Sequence, residues 1–144
     1  MPLLNYTTQV DVWRTVSEIQ GMLAKAGARA ISVQYDAERQ PAALAFEIDI
    51  GARVMAFRLP SRWQAVHKLL QEDAKVPARL TQPGQARRVA WRIVKNWVEA
   101  QLAIIEAEMV VLPEVFLPYA IIPSGKTVWE EIAAGNTQLL DSGL

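Results

Sequence analysis

The sequence predicts an α+β fold, an antiparallel sheet of one short N-terminal strand plus a three-stranded meander, covered on one face by helices. Three observations predict it. Residues 31–59 alternate apolar and polar side chains in three short runs separated by turn residues, the period of half-buried strands. Residues 12–23 and 83–109 instead place apolar residues at helical spacing. A sheet with one apolar side must bury it against a second layer, and helices are what the remaining sequence offers. The 144 residues, 51% of them hydrophobic and 21% charged, suit a single globular domain spanning 1–144.

Leu3–Thr8 reads as a short strand. Asp11 is placed to cap a helix with Val12, Val16, Ile19 and Leu23 on one face, and Gly27 stands where a left-handed C-terminal cap belongs. Ile31, Val33 and Tyr35 define the first meander strand, and 36–41 is a turn cluster. Leu44, Phe46, Ile48 and Ile50 share one face of the second strand. Gly51 marks a tight reversal into a third, with Met55, Phe57 and Leu59 on one side. Ser61 is expected to cap a helix whose Trp63, Val66, Leu69 and Leu70 cover the sheet. A connector with Pro77 and Pro83 leads into one long helix near 83–109. Along it Ala90, Ile93, Val94, Trp97, Val98, Ile104 and Ile105 fall within an arc of about 140°. Gln101 and Glu108 interrupt that arc, satisfied locally or paired across a subunit interface. Pro113, Pro118 and Pro123 forbid one continuous helix through 110–123, so this apolar segment wraps the core in short pieces or forms a partner surface. A last helix covers 128–134.

The long helix carries its charges in the unfavourable order. Arg87, Arg88, Arg92 and Lys95 occupy its first half and Glu99, Glu106 and Glu108 follow, against the preference of the helix dipole. The same polarity runs through the chain. Residues 1–51 carry 4 Lys/Arg and 6 Asp/Glu, residues 52–95 carry 10 and 2, and residues 96–144 carry 1 and 7. Either the basic and acidic segments neutralise each other, or the basic one meets an external anion.

Several chemistries find no support. Without cysteine there is no disulfide, thiolate ligand or thiol nucleophile, which suits a reducing compartment. The single histidine, His67, lies one turn from Trp63 and reads as a stacking or boundary residue; no metal site and no cofactor are expected. Gly125-Lys126-Thr127 has the ending of a P-loop, but Ala120 stands where its first glycine is required. A turn followed by a Thr127/Glu130 capping box explains more of these residues. The acidic pairs are adjacent surface residues, so no catalytic residue is assigned and no enzymatic activity is expected. No apolar run approaches the roughly 18–20 residues of a membrane span, and no secretory leader is visible, so a cytoplasmic location without membrane contact is expected.

The remaining functional candidate is the basic helix start. Arg79, Arg87, Arg88, Arg92 and Lys95 gather where free helix amides favour an anion, with Trp91 beside them. Cations next to an aromatic ring suit a single strand, whose phosphates meet the charge and whose bases stack. In the alternative, Trp91 is core and the cations are solvated or paired.

The stretch AWRIVKNWVEAQLAIIEAEMV followed by LPEVFLPY, together with VSEIQGMLAKAGARAISVQYD and FRLP earlier, resembles a family of small uncharacterised proteins from bacteriophages and integrated mobile elements. The resemblance implies a phage or mobile-element product in the bacterial cytoplasm, without assigning activity or site residues. The order of elements is also similar to the β-β-β-α arrangement of single-strand annealing proteins, an analogy at fold level only. The expectation is a non-enzymatic nucleic-acid-binding accessory protein. The alternative is a protein-interaction or self-assembling module with a homo-oligomeric or other protein partner.

Overall fold

Helix α1 (Val12–Lys25) begins where the Asp11 carboxylate accepts from the amide of Trp13 at 3.0 Å. It ends in a Schellman motif, in which Ala28 N–H reaches Leu23 O and Gly27 N–H reaches Ala24 O, with Gly27 at φ 108°. The structure, a computed structural model, describes residues 3–143. Strands β1 (Ala30–Tyr35), β2 (Pro41–Ile50) and β3 (Arg53–Pro60) form an antiparallel meander in the order β1-β2-β3. Ile31 lies opposite Phe46, and Phe46 opposite Phe57, so the apolar residues of all three strands share one face. The β2–β3 reversal takes two residues, with Gly51 at φ 72° supplying the positive dihedral that such hairpins require. The fold is α+β, as expected.

The expected N-terminal strand is absent: residues 4–7 form turns, with Asn5 at φ 64°. Its place as a fixed N-terminal element is taken by side-chain bonding, since Gln85 Nε2 donates to the carbonyls of Tyr6 and Thr8, both at 2.9 Å. Ser61 is not a helix cap either. Its amide extends the sheet by bonding Ala42 O at 2.9 Å, and the cap position of α2 (Trp63–Glu72) falls to Arg62.

Helix α2 does not cover the sheet. It packs on α3 (Pro83–Glu106), where Leu70, Ala86 and Val89 form a second cluster with Trp63, Val66 and Ile93. The sheet is covered by α1 and by α3 itself. Val16, Ile19 and Leu23 meet Leu44, Phe46, Phe57, Trp91 and Val98 in the main core. Helix α3 is therefore the central beam, and its first half is buried nearly all round. Ala86 and Ala90 permit this, because small side chains let neighbouring elements approach closely.

Helix α3 ends at Glu106, three residues short of the expected boundary. Met109 N–H bonds Ile104 O and Glu108 N–H bonds Ile105 O, and Glu108 adopts φ 60°. Glu108 thus occupies the left-handed terminal position, not the apolar face assigned from periodicity; Gln101 is half-buried. The 110–123 segment wraps the core in pieces, as α4 (Leu112–Phe116) and a 3₁₀ turn at Leu117–Tyr119. Phe116 packs edge-on against Phe46, Phe57 and Trp97. Beyond it, Ile121 N–H bonds Ala56 O at 2.8 Å, closing the outer edge of β3. Helix α5 (Val128–Ala133) starts at the expected capping box. Thr127 Oγ1 accepts from Glu130 N–H at 3.1 Å, and Glu130 Oε1 accepts from Thr127 N–H at 2.9 Å. No helix among the described residues is long and apolar enough to cross a membrane.

Candidate functional site

The basic helix start is drawn mostly into the protein's own charge network. Arg87, its side chain 9% exposed, bonds Asp36 at 2.5 Å and approaches Glu38 at 3.6 Å. Its guanidinium also lies 4.2 Å from the centre of the Trp63 ring. The carboxylate of Asp36 loses solvation by burial, yet the Arg87 hydrogen bond, the amides of Gln40 and Glu38 and the charge of Arg87 outweigh that and lower its pKa. Arg92 bonds Glu18 at 2.7 Å, and this bond is the main reason the Glu18 pKa is lowered. Lys95 bonds Glu99 at 2.7 Å, one turn along the same helix.

Trp91 is 0% exposed and donates to Pro41 O at 3.2 Å, so its ring presents no face to a base. Arg88 bonds the side chain of Gln85 at 3.0 Å. Arg79 is exposed on the connector, and neither Arg79 nor Arg88 has an acidic partner among the described residues. The six candidate residues therefore separate: one is core, three are ion-paired, and two keep free charge. The counter-charges for Arg87 and Arg92 come from the first third of the chain; the acidic C-terminal third supplies those for Arg58 and Lys95.

A different surface brings free charge and accessible rings together. Two adjoining clefts, of about 400 and 280 Å³, share Pro60, Arg62 and Tyr119. The first is closed by Thr127, Trp129 and Glu130 of the α5 region and by Arg58; the second runs along Ile93, Val94 and Trp97 of α3. Tyr119 and Trp97 meet edge-on at 5.4 Å, which fixes the floor between them. Trp129 stays 49% exposed at the rim.

Arg58 and Glu130 hold the outer wall. Arg58 donates to Glu130 at 2.8 Å and to Gly125 O at 3.0 Å, tying β3 to the loop before α5. The Thr127 amide, reinforced by Arg58, holds the Glu130 carboxyl down to about 2. Arg62 is exposed, has no acidic partner among the described residues, and sits at φ 48° and ψ 42°. A non-glycine residue in that region carries a conformational cost of about 1–2 kcal/mol, and such costs concentrate at functional sites.

No local sequence pattern marks this cleft. Arg62, Tyr119 and Trp129 lie on three separate elements, joined only when 117–121 folds back along β3. Lys126 and Thr127, the residues that imitate a P-loop, serve the turn and the cap of α5. Comparison with known protein families, curated proteins and solved structures finds no match for this chain.

Proposed function

We propose that this chain is a non-enzymatic protein that binds single-stranded nucleic acid, and that the strand enters the Arg62–Trp129 cleft. One observation carries the reading: an exposed, unpaired arginine in left-handed backbone stands at the mouth of a cleft lined by Tyr119 and Trp129. Each accessible ring offers a stacking platform worth about 1–3 kcal/mol per base, without sequence preference. Arg62 supplies a planar donor fork for a phosphate, the geometry in which guanidinium exceeds ammonium. Glu130, kept by Arg58, limits the depth to which a phosphate can enter, so the phosphate belongs at the rim. Arg79 and Arg88 add free positive charge that attracts a polyanion at longer range.

Fluorescence anisotropy with a labelled oligothymidine across a salt series tests this. Affinity is expected to fall steeply with salt, and by roughly tenfold for Arg62→Ala and for Trp129→Ala, about 1.4 kcal/mol each. Absence of binding at low salt would overturn it. Binding that ignores both substitutions but fails in Arg79→Ala/Arg88→Ala would return the site to the start of α3.

A further inference from the structure

The two edges of the sheet are treated differently. The β3 edge is closed by Ala120 and Ile121, whereas β1 pairs only with β2 and leaves its other side open among the described residues. Natural edge strands are guarded by charge, proline or a bulge within the strand. The six residues of β1, AISVQY, contain no charge and no proline, and its register with β2 is regular until the shift at Tyr35.

A second surface continues this edge. Trp13 of α1 contacts Tyr35 at 5.9 Å, so the flank of α1 that carries Trp13 lies toward the open strand. At 3.6 residues per turn, Trp13, Ser17, Gln20 and Ala24 fall within about 60° of one another. That flank is uncharged; Arg14, Glu18 and Lys25 project elsewhere, with Glu18 reaching Arg92 of α3. Trp13 and Tyr35 are 45% and 58% exposed, unusually open for rings of that size.

We infer that β1 pairs antiparallel with β1 of a second copy of this chain, joining two meanders into one six-stranded sheet. Opposed residues in an antiparallel pair share a face, so a two-fold axis at Val33 sets Val33 against Val33 and Ile31 against Tyr35 of the second copy. This register keeps Ile31, Val33 and Tyr35 of both strands on the helix-covered side. It also brings Arg29, 53% exposed and held on its own sheet by Glu47 and Asp49, opposite the 36–38 turn of the second copy, where Glu38 is 68% exposed. The two uncharged α1 flanks then face each other across the axis, where like charges would have repelled. Self-complementarity about one axis, apolar side chains and uncharged helix flanks meeting their own copies and Arg29 meeting the exposed Glu38, favours a second copy over an unrelated strand.

Analytical ultracentrifugation of the full chain tests the inference. The wild type is expected to sediment as a dimer that dissociates on dilution. Val33→Lys and Val33→Glu alone are each expected to be monomers, because each places like charges on the axis, and an equimolar mixture is expected to recover the dimer. Ala24→Arg, at an exposed helix position that leaves folding intact, is expected to weaken the dimer at least tenfold. A wild type that stays monomeric into the millimolar range would overturn the inference. So would dimers indifferent to both Ala24→Arg and the Val33 pair. Arg62→Ala is expected to remain dimeric, which separates this surface from the proposed nucleic-acid cleft.

Discussion

Arg87 and Asp36 meet at 2.5 Å beneath the turn that joins β1 to β2, 51 residues apart in sequence. This pair accounts for much of the inverted charge order of α3. The helix dipole disfavours a cation so near its N-terminus by a few tenths to one kcal/mol, and a nearly buried carboxylate outweighs that at short range. Asp36 is itself committed to the turn, since its other oxygen accepts from the amides of Glu38 and Gln40. Removing the cation strands an acid that the turn cannot release. Arg87→Ala is expected to lower unfolding free energy by about 3 kcal/mol, and Arg87→Met/Asp36→Asn to recover over half of it. Urea denaturation of the two variants measures the difference.

Glu108 offers a gain instead of a loss. It holds the left-handed position that ends α3, while Gly27 does the same work for α1 without strain. Glu108→Gly is expected to raise stability by about 0.5–1 kcal/mol, the conformational relief exceeding the added freedom of the unfolded chain. Glu108→Ala, which keeps the Cβ, is expected to stay within a few tenths of a kcal/mol of the wild type. A thermal scan of both variants separates backbone relief from loss of a surface charge.

Local signals in the sequence determine structure where chain neighbours decide the outcome. Asp11, Gly27, Gly51 and the Thr127/Glu130 box all act within a few residues of themselves, and each occupies the expected position. Alternation likewise reports β1–β3, because one face of each packs toward the core, with Ile31 and Val33 of β1 half-buried there. Long-range packing is less legible in the sequence. The apolar stripe of α2 is real, but a stripe does not say which layer it meets, and it meets α3. Helical periodicity on α3 implies one buried side, whereas α1, α2 and the sheet enclose its first half, taking in Trp91 and the Arg87 stem. Leu3–Thr8 has strand-like composition but no neighbouring strand edge to pair with. The cleft at Arg62 depends on where 117–121 returns, and no local pattern encodes that.

Glu130 gives the fold a defined acid sensitivity. Its pKa falls from an ordinary 4.5 to about 2 because the Thr127 amide and Arg58 stabilise the charged form. A carboxyl with a depressed folded pKa contributes stability that is complete above the unfolded value and lost as pH falls toward the folded one. The contribution should therefore be full above pH 4.5 and vanish progressively toward pH 2. Glu130→Gln is expected to be less stable than the wild type at neutral pH, the gap closing over that window. Asp36 and Glu18 are lowered too, so the wild type alone is expected to show a steeper acid dependence than Glu130 explains. The difference between wild type and Glu130→Gln, followed by urea denaturation from pH 7 to pH 2, isolates the α5 cap.

Under the proposed nucleic-acid reading, Arg62 sets stability against binding. Its left-handed backbone is what a glycine would adopt freely, and its side chain makes no cap, no hydrogen bond and no ion pair among the described residues. Nothing in the fold alone rewards an arginine there. Arg62→Gly is accordingly expected to stabilise the protein by about 0.5–1 kcal/mol, while weakening oligonucleotide binding about as much as Arg62→Ala does. Arg62→Lys keeps both the strain and a charge but loses the planar fork, so it should match the wild type in melting temperature and fall between the two in affinity. A rise in melting temperature with unchanged affinity would reduce Arg62 to a tolerated kink between β3 and α2. A rise accompanied by weaker binding identifies the strain as the cost of holding a phosphate contact at the cleft.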